Sequence, residues 1–312
     1  MNKLEKANSY IEKNKVPSEQ KPAFHVTAPV GWINDPNGFS VYQNKYHLFY
    51  QFHPYSDVWG PMHWGHCVTQ DFIKWADLPV AIAPDESFDA DGCFSGSAIE
   101  TDGGHILVYT GVYEEETDGG KQIYQNQCLA FGDGVNYKKL QNNPIIDGDM
   151  MPAGFSREDF RDPKIWFDDG TYYLVVGNRK SDGLGQIVLF ESENLRDWQY
   201  TTVIAENDGS YGRMWECPDF FELDGKNVLI VSPQDMRANG YNFYNGNHSI
   251  YFVGEYDKKQ CKFDCGRAVL LDYGLDFYAP QTLLANDGRR IMIAWMQSWD
   301  ANIKPPEQRW NG

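Results

Sequence analysis

The sequence predicts an all-β protein, a five-bladed β-propeller preceded by a short N-terminal helix. Two observations carry this. Short β-rich runs bounded by turn residues recur along the whole chain, and each follows a polar signature that returns at a near-constant interval. The runs are YHLFYQF from Tyr46, HILVYTG from His105, TYYLVVGN from Thr171, NVLIVSP from Asn227 and RIMIAWM from Arg290. Each is rich in aromatic and β-branched residues, the composition that suits a pleated, half-buried strand.

Immediately before the runs stand the turn signals QNK, DGG, DDG, LDG and NDG, and before those the signatures NDPNG, FSGSA, FRDPKI, WECPDF and DFYAPQ. Taken at Asp35, Gly96, Asp162, Glu216 and Asp276, the signatures stand 61, 66, 54 and 60 residues apart. The period is longer than the usual propeller repeats but of their kind, and each unit reads as signature, strand, tight turn, strand and outer hairpin. If each signature begins an innermost strand, Asp35, Asp162 and Glu216 converge at one mouth of the central channel.

Outside this pattern, residues 4 to 15 read as a short polar helix ending before Pro17. No other stretch has helical periodicity of any length. The domain reading is a leader over 1–21, a propeller over 22–305, and the start of a C-terminal continuation over 306–312.

Composition narrows the function. The 312 residues carry 42% apolar side chains and a formal net charge of -17. That is a globular chain with no basic face for nucleic acid or an anionic membrane. No apolar run is long enough to cross a bilayer, and the charged opening MNKLEKANSYIEKNK lacks the apolar core of a signal peptide, so a cytoplasmic location is expected. Cys67, Cys93, Cys128, Cys217, Cys261 and Cys265 are scattered in a chain too large to need stapling, and they read as reduced thiols.

Several local motifs fail on their spacing. DADGCFSGSAIE from Asp89 places its glycine too early for an EF-hand loop, and Cys261 and Cys265 lack a second pair of metal ligands. His63 and His66 in HWGH suit packing better than metal binding. GLGQ at Gly183 is no dinucleotide fingerprint, and the glycosylation sequon at Asn247 has no meaning in a cytoplasmic protein. No cofactor and no metal is expected.

GWINDPNG taken alone reads as a turn, because Asn, Asp, Pro and Gly dominate turns. Its acid, however, shares a repeat phase with Asp162 and Glu216, which scattered surface charge has no reason to do. Two carboxyl groups facing each other across a pocket are the machinery of glycoside hydrolysis. Asp35, beside Asn34, reads as the carboxylate kept charged by nearby donors. Glu216, between Trp215 and Cys217, reads as the poorly solvated carboxyl that serves as acid. Among Trp32, Trp59, Phe94, Trp215 and Trp295, about a third are expected to face the pocket, the rest packing between blades.

WINDPNG, FSGSA, FRDP and ECPD, in this order and at these intervals, resemble glycoside hydrolase family 32 over residues 22–312. The segment from His53 to Glu86 is most similar to its intracellular bacterial sucrose-6-phosphate hydrolases. The resemblance implies a retaining β-fructofuranosidase acting on sucrose 6-phosphate, sucrose or short fructans. In it Asp35 is the nucleophile, Glu216 the acid/base, and Asp162 the residue holding fructosyl hydroxyls and stabilising the transition state. Further substrate contacts are implied for Asn34, Gln51, Trp59, Phe94, Ser95, Arg161 and Trp295, and for Tyr278. The expected partner is a small β-fructoside, with a homodimer as the candidate assembly. Family members continue into a C-terminal β-sandwich, which would begin just past QRWNG. An inverting propeller hydrolase and a non-catalytic sugar-binding propeller are the alternatives.

Overall fold

The computed structural model describes residues 1–300 and 308–312. Its single α-helix, α1 (Lys3–Asn14), is closed at the start by a capping box, in which Glu5 N donates to Asn2 Oδ1 at 2.7 Å and Asn2 N donates to Glu5 Oε2 at 3.1 Å. Ala7 is the one residue of α1 that is fully buried, and Asn8 Oδ1 accepts Val80 N at 2.9 Å, pinning the helix to the first sheet. No described helix is long and apolar enough to cross a membrane.

The remainder is β. The first sheet is an antiparallel meander of β1 (Gly31–Tyr42), β2 (Lys45–His53), β3 (His63–Thr69) and β4 (Ala76–Ile82). The second comprises β5 (Gly92–Thr101), β6 (Gly104–Thr117), β7 (Gly120–Gly132) and β8 (Tyr137–Lys139), and the third β9 (Phe155–Asp168), β10 (Thr171–Lys180), β11 (Gly185–Ser192) and β12 (Gln199–Glu206). The fourth runs from β13 (Trp215–Leu223) through β14 (Lys226–Pro233) and β15 (Ile250–Asp257) to β16 (Lys262–Cys265), with β17 (Val269–Leu270) also on β15. After it come the pair β18 (Tyr278–Leu284) and β19 (Arg290–Trp295), and finally β20 (Trp310–Asn311), parallel to β1.

This is a propeller arrangement, with one correction to the expected count. The described residues form four full blades and a two-stranded sheet, not five full blades. The expected boundary between 305 and 306 lies outside the described residues.

The turn signals behave as read. Gln43 and Asn44 (φ 49° and 60°), Asp169 and Gly170 (46° and 83°), and Asp224 and Gly225 (50° and 74°) take positive φ in pairs. Paired positive φ is the geometry of the tight hairpin turn whose twist matches that of its strands. In the first, third and fourth blades the first two strands are therefore fixed in register by local chemistry, whereas the turns at 102–104 and 286–288 have positive φ only at Gly104 and Gly288.

GWINDPNG, which taken alone suggests a turn, lies within β1, and the other signatures also belong to strands. They lie inside the innermost strands, and in all five the register slips there: between Ile33 and Pro36, Phe94 and Gly96, Glu216 and Asp219, Tyr278 and Gln281, and opposite Arg161 to Lys164 of β9. Each signature is a β-bulge, a device that bends a strand and re-aims side chains. Pro36, Pro163, Pro218 and Pro280 stand at these slips, where a missing ladder donor is tolerated. The core lies between blades, as in the cluster of Val175, Leu189, Trp215, Leu229 and Val231 from the third and fourth.

Candidate active site

Four of the five bulges open onto a cavity of about 530 Å³, within the range of small-molecule sites. Asp35 comes to it from β1, Asp162 from β9 and Glu216 from β13, so residues up to 181 positions apart in sequence share one pocket. Asn34, Gln51, Trp59, Phe94, Ser95 and Arg161 also line it.

The two remaining expected contacts sit elsewhere. Tyr278 is fully buried behind the cavity wall, where its hydroxyl donates to Glu216 Oε2 at 2.6 Å and to the Ser232 carbonyl at 3.1 Å. Trp295 is also buried, its ring 5.9 Å from Trp32 and 5.0 Å from Trp299, and it lines a separate apolar cavity with Ile33, Ile291 and Ile293. The ring that reaches the acid-lined pocket is Trp299, four residues on, stacked against Trp32. Of the five aromatics singled out from the sequence, Trp59 and Phe94 face the pocket and pack edge to face at 5.9 Å, while Trp32, Trp215 and Trp295 are buried.

Asp35 accepts the Ser95 hydroxyl at 2.8 Å and the Asn34 amide at 3.0 Å. Asn34 is held in turn by Trp32 Nε1, 2.7 Å from its Oδ1. The two donors favour the charged carboxylate, but burial and then the neighbouring Glu216 charge outweigh them, and Asp35 is pushed up to about 6. The expected donors are therefore in place, and burial works against them.

Asp162 is pushed up to about 7, first by burial and then by Glu216, with Arg161 opposing. Its Oδ2 accepts the backbone N–H of Cys217 at 2.9 Å, and the Cys217 thiol lies 3.6 Å from Asp162 and 3.7 Å from Asp35. The Glu216 side chain is 13% exposed and is held from two sides. Besides the Tyr278 hydroxyl it accepts Arg161 Nε at 2.9 Å. Arg161 continues to Asp159 at 2.9 Å and to Gln125 Oε1 at 3.2 Å.

Gly177 explains how close the third and fourth blades come. A Cβ there would stand 2.5 Å from the Trp215 carbonyl and 3.2 Å from that of Arg161, so a larger residue would push apart the strands carrying Asp162 and Glu216.

The sequence reading missed Gln125, Glu158, Asp159, Arg179, Gln234 and Trp299 as lining residues. Asp159 was within reach, being part of the charged run REDFRD. Glu158 belongs to the same run on β9, and the others lie on second or third strands or in loops, with nothing in their neighbourhood to distinguish them from ordinary strand residues.

The motifs set aside resolve into packing. Asp89 is buried and paired with Lys139 at 2.6 Å. His66 meets His47 at 3.0 Å, and His63 Nδ1 lies 3.0 Å from the Pro61 carbonyl. Among the described residues, no three His, Cys, Asp or Glu side chains are grouped to hold a metal ion.

Comparison with known proteins agrees with this geometry. The model of the glycosyl hydrolases family 32 N-terminal domain matches residues 25–312. The chain is 42% identical over 316 aligned residues to a sucrose-6-phosphate hydrolase of Zymomonas mobilis, covering 98% of this chain and 60% of that protein. It is 41% identical to an Escherichia coli raffinose invertase, covering 93% and 60%. A solved Bombyx mori family 32 β-fructofuranosidase mutant in complex with sucrose superimposes with a TM-score of 0.90 at 39% identity, over 99% of this chain and 65% of that one. The chain therefore spans about 60% of the length of the curated relatives it matches.

Proposed function

This chain belongs to glycosyl hydrolase family 32, and from that premise we propose that it is a retaining β-fructosidase whose substrate is sucrose or its 6-phosphate. The observation that carries the reading is the meeting of Asp35 and Glu216, from different blades, on one cavity that also holds Asp162. The names of the relatives, hydrolases and invertases of sucrose-type sugars, and the sucrose complex of the silkworm protein support the substrate class.

In this reading the Asp35 carboxylate attacks the anomeric carbon of the fructosyl unit while Glu216 gives its proton to the glycosidic oxygen. The C–O bond breaks, the glucosyl half leaves as an alcohol, and the fructosyl unit stays as an ester on Asp35. Glu216, now a carboxylate, takes a proton from water as that water attacks the same carbon and releases Asp35. Asp162 holds fructosyl hydroxyls, and its charge stabilises the oxocarbenium-like transition state. Ser95 and Asn34 fix the nucleophile, and Tyr278 and Arg161 fix the acid/base. Trp59, Phe94 and Trp299 supply apolar walls.

The pair β18–β19 is read as the inner half of a fifth blade within a propeller domain that starts at residue 22. Its first strand carries a signature bulge like the other four. Six free cysteines, four of them buried, suit a reducing, cytoplasmic setting.

The test is proton NMR of the first fructose released from sucrose by the purified protein. Retention gives the β-anomer first. An α-anomer appearing first would overturn the nucleophile role of Asp35.

A further inference from the structure

We propose that Arg179 reads the leaving half of the substrate, taking a phosphomonoester carried by the glucosyl unit. The inference rests on the β-fructosidase reading and adds the feature that sets its preference for phosphorylated over free sugar.

Five carboxyl groups line the cavity, those of Asp35, Glu158, Asp159, Asp162 and Glu216, against two cations, Arg161 and Arg179. A phosphate dianion is repelled by such a wall wherever no cation answers it. Arg161 is not available, since its guanidinium is buried and already bonded to Glu216, Asp159 and Gln125. Arg179 differs. It pairs with Asp159 at 2.5 Å through one terminal nitrogen, and 36% of its side chain is exposed. A planar guanidinium that lines the cavity and stays partly exposed can offer a fork of N–H groups to a pair of phosphate oxygens.

Its position suits the leaving group rather than the fructosyl unit. Asp162 is carried by the innermost strand β9, whereas Arg179 lies near the end of the next strand out, β10. That displacement places it toward the rim of the pocket.

The mount is rigid. The neighbouring Asn178 is fully buried, its Nδ2 donates to the carbonyls of Ser156 and Asp159 at 2.8 Å each, and Gln186 Nε2 holds its Oδ1 at 2.9 Å. The backbone that carries Asp159, the partner of Arg179, is thereby tied to the strand that carries Arg179.

The experiment measures binding of glucose 6-phosphate, glucose, inorganic phosphate and fructose by tryptophan fluorescence, in the wild type and in Arg179→Gln, with kcat/KM on sucrose 6-phosphate and sucrose alongside. The expected result is that the wild type binds glucose 6-phosphate more tightly than glucose or inorganic phosphate. Arg179→Gln then lowers the ratio of phosphorylated to free sugar, in binding and in kcat/KM, on the order of 10- to 100-fold, the loss of a charge-assisted pair. Arg179→Lys, which keeps the charge without the fork, retains part of the ratio, and stands in should the glutamine variant not fold.

Equal wild-type affinity for glucose and glucose 6-phosphate would overturn the proposal. So would inorganic phosphate binding as tightly as the sugar phosphate, or a variant that loses both sugars in equal measure. Fructose tests the parent reading separately. A wild type that holds glucose 6-phosphate through Arg179 but neither binds fructose nor turns over either sugar would overturn the β-fructosidase assignment while the anion site stands.

Discussion

The backbone N–H of Cys217 donates to a carboxylate oxygen of Asp162 at 2.9 Å, joining two bulges on different blades. Both residues have positive φ, 48° and 68°, and both precede a proline. A residue in that position is normally pushed toward extended backbone, so the conformation is held by its surroundings. The bond shows what holds it. Each bulge presents a group that the other needs, and Glu216, next to Cys217, is placed by the same contact that orients Asp162. The acids of this pocket are positioned as one unit.

Replacing Glu216 by Gln keeps the size and one acceptor oxygen, enough for Arg161 or Tyr278 but not both, and removes the transferable proton. Turnover of sucrose is expected to fall by roughly 10²–10⁴-fold. An aryl β-fructoside, whose leaving group needs no proton, should lose much less in the first step. Equal losses on both substrates would count against the acid role.

As the proposed nucleophile, Asp35 would act only when ionised, and in the empty site it is pushed up to about 6. The pH profile of kcat/KM reports the free enzyme, so its acid limb should fall away below about pH 6. Ser95→Ala removes a donor that favours the carboxylate and should move this limb upward. A limb near the ordinary carboxylate value, unmoved by Ser95→Ala, would place the titration elsewhere.

Asp162 also shapes stability. Its folded value, about 7, lies above the ordinary 3.8. The folded state therefore binds the proton more readily than the unfolded chain, and stability falls as pH rises through about 4 to 7. Asp162→Asn keeps an acceptor for the Cys217 N–H and removes the buried charge. The variant should melt several degrees above the wild type at pH 8 and close to it at pH 4. The reverse ordering would show that Arg161 needs this charge more than burial opposes it.

Much of this arrangement is legible in the chain. The five signatures mark all five bulges, because a proline or glycine inside an aromatic strand pattern is itself a sign of irregular pairing. The three acids follow from that phase. Trp295 and Trp299 were not separable, since both sit in WMQSWD and only packing against Trp32 decides which one reaches the pocket. Arg179 ends an apolar strand run and looks like its solvated edge. The blade count failed for a different reason: β18 and β19 have the sequence of an inner hairpin, and hairpins do not report how many strands follow.

The buried histidines give stability the opposite pH dependence. His47 and His66 meet at 3.0 Å, and His105 lies between the Ser40 hydroxyl at 2.9 Å and the Tyr137 hydroxyl at 2.8 Å, with Tyr42 stacked on its ring. Burial lowers His47 to about 4, His105 to about 3 and His66 well below 6.5. Their contribution is present above about pH 6.5 and is lost as pH falls toward these values. His66→Gln should cost stability at pH 7.5 yet narrow the loss between pH 7.5 and pH 5. An unchanged gap would exclude the cluster as the acid-sensitive element.

Asp89, the acid of the failed calcium-loop motif, supplies the last test. It is completely buried, and it accepts Lys139 at 2.6 Å, the Tyr109 hydroxyl at 2.7 Å and the backbone N–H of Glu86 at 3.0 Å. Lys139 also holds Asp85 at 2.6 Å and the Ala83 carbonyl, tying β8 of the second blade to the end of β4 in the first. A buried pair adds little over an apolar replacement, but breaking it strands a charge at a cost of roughly 3–5 kcal/mol. Lys139→Met alone should therefore lower the unfolding free energy by about that much. Asp89→Asn combined with Lys139→Met should recover a large part of it, because the fully buried charge is then gone and only the part-exposed Asp85 has lost its partner. Additive losses in a double-mutant cycle would show that the two side chains act independently.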